Sequence, residues 1–563
     1  MLTIRIRDLA KSYGEKVLFD KFSLDIYTGD KIGIVGPNGA GKTTLLETII
    51  GTIEPDRGYV ETFARIGYLA QDLELPPDVL AKDYFNFPSL ESDSLERYIR
   101  EMKLREDVLT SRCGILSGGE KTKLKLIEVL INKPVILILD EPTNHLDIKG
   151  IEVLEEKLKS FYGTLIVVSH DRFFLDRISN KILEISRGKI SIYPGNYTDY
   201  SEKKRKEMER AWEEYEEYTE EKRRLEESVR KVKEKSQSVG RIKDKKDTFW
   251  RYNKDFYGRK ASKVARTGKA IERRIEKLDA KEKPFEEQHI KMGFGADDKG
   301  GDLLVYCEDI EKSFGDNLLF KESNISIKRG EKIALLGDNG SGKTTLLRIL
   351  LGKEPINRGK VWISEVAKPG YLDQEIGLLN PDHTVLEEVR TSTNYDITAV
   401  RTLLGCLLFI EDDVLKRIED LSMGEKVRVT LAKLMLGEFN LLIMDEPTNF
   451  LDIKSREVIE EALKWYRGSL LFVSHDRYFI SRVASTIWEI EDKKINCYPG
   501  DYEYYTFKKD RLKDGDIKDR ILLLEVQLSK VSAELDKAKD AEKEELNKKF
   551  VELTREINSL KRR

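Results

Sequence analysis

Cysteine is scarce in this 563-residue chain: Cys113, Cys307, Cys406 and Cys497 stand far apart, and no two form a CxxC pair. That scatter argues against a disulfide framework or a sulfur-ligated zinc site and fits a reducing, cytoplasmic compartment. Long apolar runs are missing as well. "VILIL" at 135–139 is among the longest, far below the roughly 20 residues that span a bilayer. The opening "MLTIRIRDLAKSYG" alternates like a strand and soon meets charge, unlike a secretory signal. A soluble protein without a membrane domain is expected. Net charge is small too, −3, although 36% of the residues are charged, a proportion that points to long solvated helices. The balance is uneven. Between Lys231 and Arg274 there are 16 basic and 5 acidic residues, about +11, so one segment alone is suited to a polyanionic partner.

What is present is a repeat. "YLAQD" at 68–72 returns as "YLDQE" at 371–375, "LSGGEK" at 116–121 as "LSMGEK" at 421–426, and "DEPTNHLDIK" at 140–149 as "DEPTNFLDIK" at 445–454. "VSHDRFF" at 168–174 and "YPGNY" at 193–197 return as "VSHDRYF" at 473–479 and "YPGDY" at 498–502. The offset stays near 300, as in a duplicated domain. The copies are set at 1–200 and 302–508, with 201–301 between them and 509–563 after the second. Within each, a strand, a glycine loop, a helix and further buried strands indicate an α/β domain.

"GPNGAGKTT" (Gly36, Pro37, Asn38, Gly39, Ala40, Gly41, Lys42, Thr43, Thr44) and "GDNGSGKTT" (Gly337, Asp338, Asn339, Gly340, Ser341, Gly342, Lys343, Thr344, Thr345) both fit GxxxxGK[ST]. Glycines let the backbone curl so that successive N–H groups face phosphate oxygens, with a helix N-terminus behind them. Lys42 and Lys343 would neutralise the β- and γ-phosphates, and Thr43 and Thr344 would ligate Mg²⁺. A plain glycine-rich turn is the alternative. It does not explain two matches, each between a strand and a helix. Asp140 and Asp445, at strand ends, suit Mg²⁺ coordination, and the adjacent Glu141 and Glu446 can polarise an attacking water. Each acid could equally cap the turn-forming "EPTN". Only five histidines exist, and two of them, His170 and His475, follow strands at equivalent positions, which favours a γ-phosphate sensor over a structural role.

These motifs, with "LSGGEK" and the mid-domain Gln71 and Gln374, resemble the ATP-binding cassette superfamily. "EPTNHLD", two cassettes in one chain and no membrane segment resemble its ABC-F group. The resemblance covers about 400 residues. It implies two tandem P-loop ATPase domains of α/β fold in a head-to-tail sandwich, two ATP sites with Mg²⁺, and Gln71 and Gln374 among the metal ligands. One site would pair 36–43 with Ser422, Met423 and Gly424; the other would pair 337–344 with Ser117, Gly118 and Gly119. Tyr13 and Phe314 would stack on adenine. A short helix opening at Ser117 or Ser422 would turn its N-terminus to the γ-phosphate. Met423 replaces a glycine and Phe450 stands where the first copy has His145. The backbone N–H groups would survive, and the expected consequences are lost access and dihedral freedom at 423 and unequal hydrolysis at the two sites.

From about Tyr200 the chain changes to alternating Glu and Lys/Arg without proline or glycine, the pattern of a long solvated helix. "KASKVARTGKAIERRIEKLDA" returns as a second helix, with Ile271, Ile275 and Leu278 facing the first. Near the tip of this hairpin, "DKKDTFWRYNKDFYGRK" (244–260) interleaves cations with Phe249, Trp250, Tyr252, Phe256 and Tyr257. Charge holds phosphates and rings stack on bases, so folded or single-stranded RNA is favoured over a protein partner. The ABC-F resemblance implies that this linker reaches the P-site tRNA and peptidyl transferase centre of the ribosome, contacting large-subunit rRNA. The lack of an inserted arm between Gln71 and Ser117, and the long linker, resemble members that protect ribosomes from antibiotics. A housekeeping translation factor is the alternative, and the ATPase subunit of a membrane transporter is a weaker one. The tail, with Leu524, Leu528, Val531, Phe550, Leu553 and neighbours at steps of three and four, reads as a coiled coil. A monomer is expected.

Overall fold

A computed structural model describes residues 1–71, 75–84, 92–241, 254–278, 281, 301–373, 379–393, 395–511, 524, 528, 531, 550–551 and 553–555. Gln374, the tip residues Phe249, Trp250 and Tyr252, and most of the expected coiled coil lie outside them. The chain divides into two compact units: Met1–Ile178 with Leu183–Ser191 and His289–Arg563, and Ser179–Ile182 with Ile192–Gln288.

The first unit contains both cassettes. Cassette one carries β1 (Leu2–Tyr13), β2 (Lys16–Tyr27), β3 (Lys31–Val35), β4 (Arg57–Thr62), β5 (Ile66–Leu69), β6 (Ile136–Asp140), β7 (Thr164–Val168), β8 (Lys181–Ser186) and β9 (Lys189–Pro194). Cassette two repeats them as β10 (Leu303–Phe314), β11 (Asn317–Lys328), β12 (Lys332–Gly337), β13 (Arg358–Ile363), β14 (Pro369–Leu372), β15 (Leu441–Asp445), β16 (Ser469–Val473), β17 (Thr486–Glu491) and β18 (Lys494–Tyr498). Each has an antiparallel three-stranded sheet, β2-β1-β4 or β11-β10-β13, and a six-stranded sheet, β5-β6-β7-β3-β8-β9 or β14-β15-β16-β12-β17-β18.

The strands β6 ("ILILD") and β7 ("TLIVV") are buried at every position, so a continuous apolar run, not an alternating one, is what their parallel pairing requires. Leu45 and Leu46, on the helix Lys42–Ile50, are wholly buried in the core between the two sheets, each worth roughly 1.5–3 kcal/mol. In the order β6-β7-β3, three neighbouring strands end at Asp140, just before His170, and at the phosphate-loop motif. The carboxyl edge of a parallel sheet is where such folds place ligands. β15-β16-β12 does the same for Asp445, His475 and the second motif.

The second unit is built from the helices Tyr197–Arg241 and Lys254–Glu276. At 1.5 Å per residue the 45-residue first helix is about 67 Å long. Lys233–Glu272, Arg274–Glu221 and Lys281–Glu214 pair at 2.8–3.3 Å; one index falls as the other rises, so the helices run antiparallel. Ile271, Ile275 and Leu278, the apolar positions read from the sequence, are half-buried, and Leu225, Val229 and Gly268 are buried. A Cβ on Gly268 would meet Val232 Cγ1 at 3.3 Å, which explains a glycine where the helices approach. No described helix is long and apolar enough to cross a membrane.

Candidate nucleotide sites

The second motif shows how the local chain builds a phosphate cradle. Gly342 has φ +100°, and a Cβ there would meet Leu319 Cδ1 at 3.1 Å, so conformation and close approach both demand glycine. The helix Lys343–Leu350 that follows has no side-chain cap, leaving its first amides to an anion. Lys343 Nζ donates to the carbonyls of Gly337 at 2.8 Å and Asp338 at 3.1 Å. Thr344 Oγ1 donates to Asp445 Oδ2 at 2.7 Å. Glu446 is held at φ +52°, an unusual conformation for a non-glycine residue, and its Oε1 lies 3.3 Å from His475 Nε2.

Cassette one repeats the geometry. Gly41 has φ +98° with Leu18 Cδ1 3.0 Å from a Cβ. Lys42 Nζ donates to Gly36 O at 2.8 Å and Pro37 O at 3.1 Å, and Thr43 Oγ1 to Asp140 Oδ2 at 2.8 Å. Glu141, at φ +48°, has Oε1 3.2 Å from His170 Nε2 and accepts the His170 N–H at 3.3 Å.

Burial sets the charge states. It pushes the Glu141 carboxyl up to about 7, opposed by Lys42 and Arg456, and Glu446 up to about 7, opposed by Lys343, the His475 N–H and Arg456. Burial lowers His475 to about 4 and takes His170 well below its usual range, with Lys42 adding to the effect. Both histidines are therefore neutral at pH 7. Both carboxyls are poised where a general base works best. Lys42 and Lys343 are lowered by burial.

The two halves meet across a cleft of about 470 Å³, lined by Ser117, Gly118 and Gly119 from cassette one and by Phe314, Lys343, Glu446 and His475 from cassette two. Asn339 Nδ2 donates to His145 O at 2.9 Å, and Asn339 N to Asp147 Oδ2 at 3.3 Å. Reciprocally, Asn38 Nδ2 donates to Phe450 O at 3.0 Å and Asn38 N to Asp452 Oδ2 at 3.2 Å. A Cβ on Gly424 would meet that same Phe450 carbonyl at 2.8 Å, so 36–43 and 422–424 share a neighbour, as 337–344 and 117–119 do.

A family model described as "ABC transporter" matches residues 19–144 and again 320–449, and a second with the same description matches 183–294. The chain is 33% identical to "Ribosome protection protein VmlR" of Bacillus subtilis (strain 168), across 99% of this chain and 98% of that protein. It is 32% identical to "ABC transporter F family member 5" of Arabidopsis thaliana, across 90% and 77%. This chain belongs to the ABC-F family of ATP-binding cassette ATPases. The fold is also that of the archaeal ribosome recycling factor aABCE1, solved with the stalk protein aP1: TM-score 0.59, 22% identity, 88% of each chain.

As an ABC-F ATPase the chain binds and hydrolyses ATP, and the donor set bears on its metal. Each Thr–Asp pair offers a hydroxyl and a carboxylate, both hard oxygen donors, and no group of three or more His, Cys, Asp or Glu suited to hold a metal ion occurs among the described residues. That sparse set fits Mg²⁺, which keeps waters and phosphates as ligands, and does not fit a side-chain cage for zinc or calcium. Gln71 is exposed just past β5, and Gln374 lies outside the described residues. Tyr13 and Phe314 are about half exposed, and Phe314 lines the cleft.

Two expectations need correction. The signature helices of this ABC-F chain are not short: Gly118–Ile131 and Met423–Leu436 run 14 residues each, capped by boxes of Ser117 with Glu120 and Ser422 with Glu425. Nor does Met423 lose a glycine dihedral, since Gly118 is not left-handed. What distinguishes the sites is contact. A Cβ on Gly118 would meet His145 Cβ and Cγ at 2.9 Å, whereas Met423 and Phe450 are both about half exposed.

Other residues at the ABC-F interface escaped the sequence reading. Arg172 pairs with Glu460 and Arg477 with Glu155, all four buried, and Arg456 reaches His170. Arg172 and Arg477 sit in the repeated "HDR", a signal that was in view. Glu155 and Glu460 carried none.

Proposed function

We propose that this ATPase binds the ribosome, inserts its helical linker towards the P-site tRNA and the peptidyl transferase centre, and displaces ribosome-targeting antibiotics, with hydrolysis driving release. The observation that supports it most is the end-to-end similarity to a protein named for ribosome protection, which includes the linker. The excess of about 11 positive charges between Lys231 and Arg274, interleaved with aromatics, suits rRNA and tRNA. The domains are assigned as 1–200, 201–301, 302–508 and 509–563, acting as a monomer in the cytoplasm.

At the sites, Gly36–Thr44 with Ser422, Met423 and Gly424, and Gly337–Thr345 with Ser117, Gly118 and Gly119, bind ATP. Tyr13 and Phe314 face adenine. Glu141 and Glu446 take the proton of the attacking water while His170 and His475, neutral, orient the γ-phosphate. Thr43, Gln71 and Asp140, and Thr344, Gln374 and Asp445, would hold Mg²⁺, which neutralises phosphate charge when bound. ATP thereby fastens the cassettes together, and its loss releases them.

The test replaces Trp250, Tyr252 and Phe256 with alanine and assays translation in vitro against antibiotics bound near the exit tunnel and peptidyl transferase centre. Protection by the unsubstituted protein and its loss in the variant, with ribosome-free ATP turnover retained, is the expected result. Protection undiminished by the triple substitution overturns the role given to the linker. No protection from either protein favours the housekeeping factor.

A further inference from the structure

The cassettes are duplicated, but their interface is not symmetric. Counting from the helix-capping aspartates Asp147 and Asp452, the fourth residue is Ile151 in one copy and Arg456 in the other. Ile151 is a buried hydrocarbon with nothing to donate. Arg456 is anchored in its own cassette, Nε to Leu451 O at 3.1 Å and Nη1 to Asp476 Oδ2 at 2.9 Å. A guanidinium Nη carries two hydrogens, and the same Nη1 also donates to the carbonyl of His170, in the other cassette, at 3.1 Å.

From this geometry we infer that Arg456, which also lines the cleft of the second site, is a positioning residue for the first nucleotide site, supplied in trans by the second cassette, while Ile151 supplies no such bond across the interface to the second site. It holds the backbone of His170, whose Nε2 faces Glu141 at 3.2 Å, only while the cassettes are closed. Closure and the geometry of the reacting end are thus linked at site one by a charged hydrogen bond, which is stronger than a neutral one. The surroundings carry the same asymmetry. Burial raises Asp171, against Arg477. Burial also pushes its counterpart Asp476 up, but Arg456 and Arg172 outweigh it and leave that carboxyl lowered.

The inference rests on the assignment of Glu141 and His170 to hydrolysis and is independent of ribosome binding. Single-turnover and steady-state ATP hydrolysis of Arg456→Ile, alone and combined with His170→Ala or His475→Ala, tests it. In the His475→Ala background, where turnover comes from site one, Arg456→Ile is expected to lower kcat about tenfold with KM within twofold, and Arg456→Lys to recover part of the loss. In the His170→Ala background the factor shrinks below twofold, as coupled neighbours require. Equal factors in both backgrounds, or a loss confined to KM, overturn the inference. Should Arg456→Ile fail to fold, the same cycle with Arg456→Lys decides, on an expected factor of about three. If His170→Ala and Glu141→Gln leave turnover unchanged, it is the site assignment that fails.

Discussion

Arg172 of the first cassette meets Glu460 of the second, Nη1 to Oε2 at 3.3 Å, and Arg477 returns the exchange on Glu155. Arg172 also lies over the Tyr478 ring, 3.8 Å from its centroid. These pairs are buried between the cassettes, so closing the sandwich removes four charges from water. Taking away one partner strands the other and costs about 3–5 kcal/mol, whereas replacing both with apolar groups is often neutral.

Arg172→Ala is therefore expected to raise the ATP concentration for half-closure at least tenfold, measured by energy transfer between dyes on the two cassettes. Arg172→Met with Glu460→Met is expected to recover most of the loss. If the alanine variant closes like the unsubstituted protein, the pair does not contribute to closure.

Glu141 and Glu446 give a pH dependence of stability. Both are raised by burial to about 7, above an ordinary 4.5. Their contribution is whole below the unfolded value and is lost as pH rises through 7, on the order of 3 kcal/mol for each. In EDTA without nucleotide, Glu141→Gln with Glu446→Gln is expected to raise Tm by several degrees at pH 8 and to change it little at pH 5. An equal shift at both values contradicts the burial argument.

The contrast between Gly118 and Met423 predicts opposite tolerance. A side chain at 118 must displace His145, 2.9 Å from its Cβ, and 117–119 line the cleft. With site one impaired by His170→Ala, Gly118→Met is expected to lower kcat/KM at least tenfold, while Met423→Gly changes it less than threefold with site two impaired by His475→Ala. Steady-state turnover of the two variants checks both.

Much of this was legible in the sequence because the chemistry of phosphate binding is local. The spacing within 36–43, the strand ends at Asp140 and Asp445, and the doubling of every motif marked two cassettes and most of the residues gathered around each candidate site. The alternating charges after Tyr200 gave the hairpin, and Leu225 and Val229 are buried in it. Contacts between distant positions left no periodic trace: Arg172 and Glu460 are 288 residues apart, Arg456 and His170 286. At Met423 the dihedral half of the expectation fails, because Gly118 is not left-handed, while the pairing with Phe450 and His145 was visible in the repeat.

The central claim is that ATP closes the cassettes into a ribosome-binding state. The most direct measurement is co-sedimentation of the Glu141→Gln/Glu446→Gln protein with ribosomes in ATP and in ADP. With hydrolysis slowed, the closed state persists, and at least tenfold more protein is expected in the ribosome pellet with ATP than with ADP. Equal pelleting in both nucleotides, or none in either, contradicts the account.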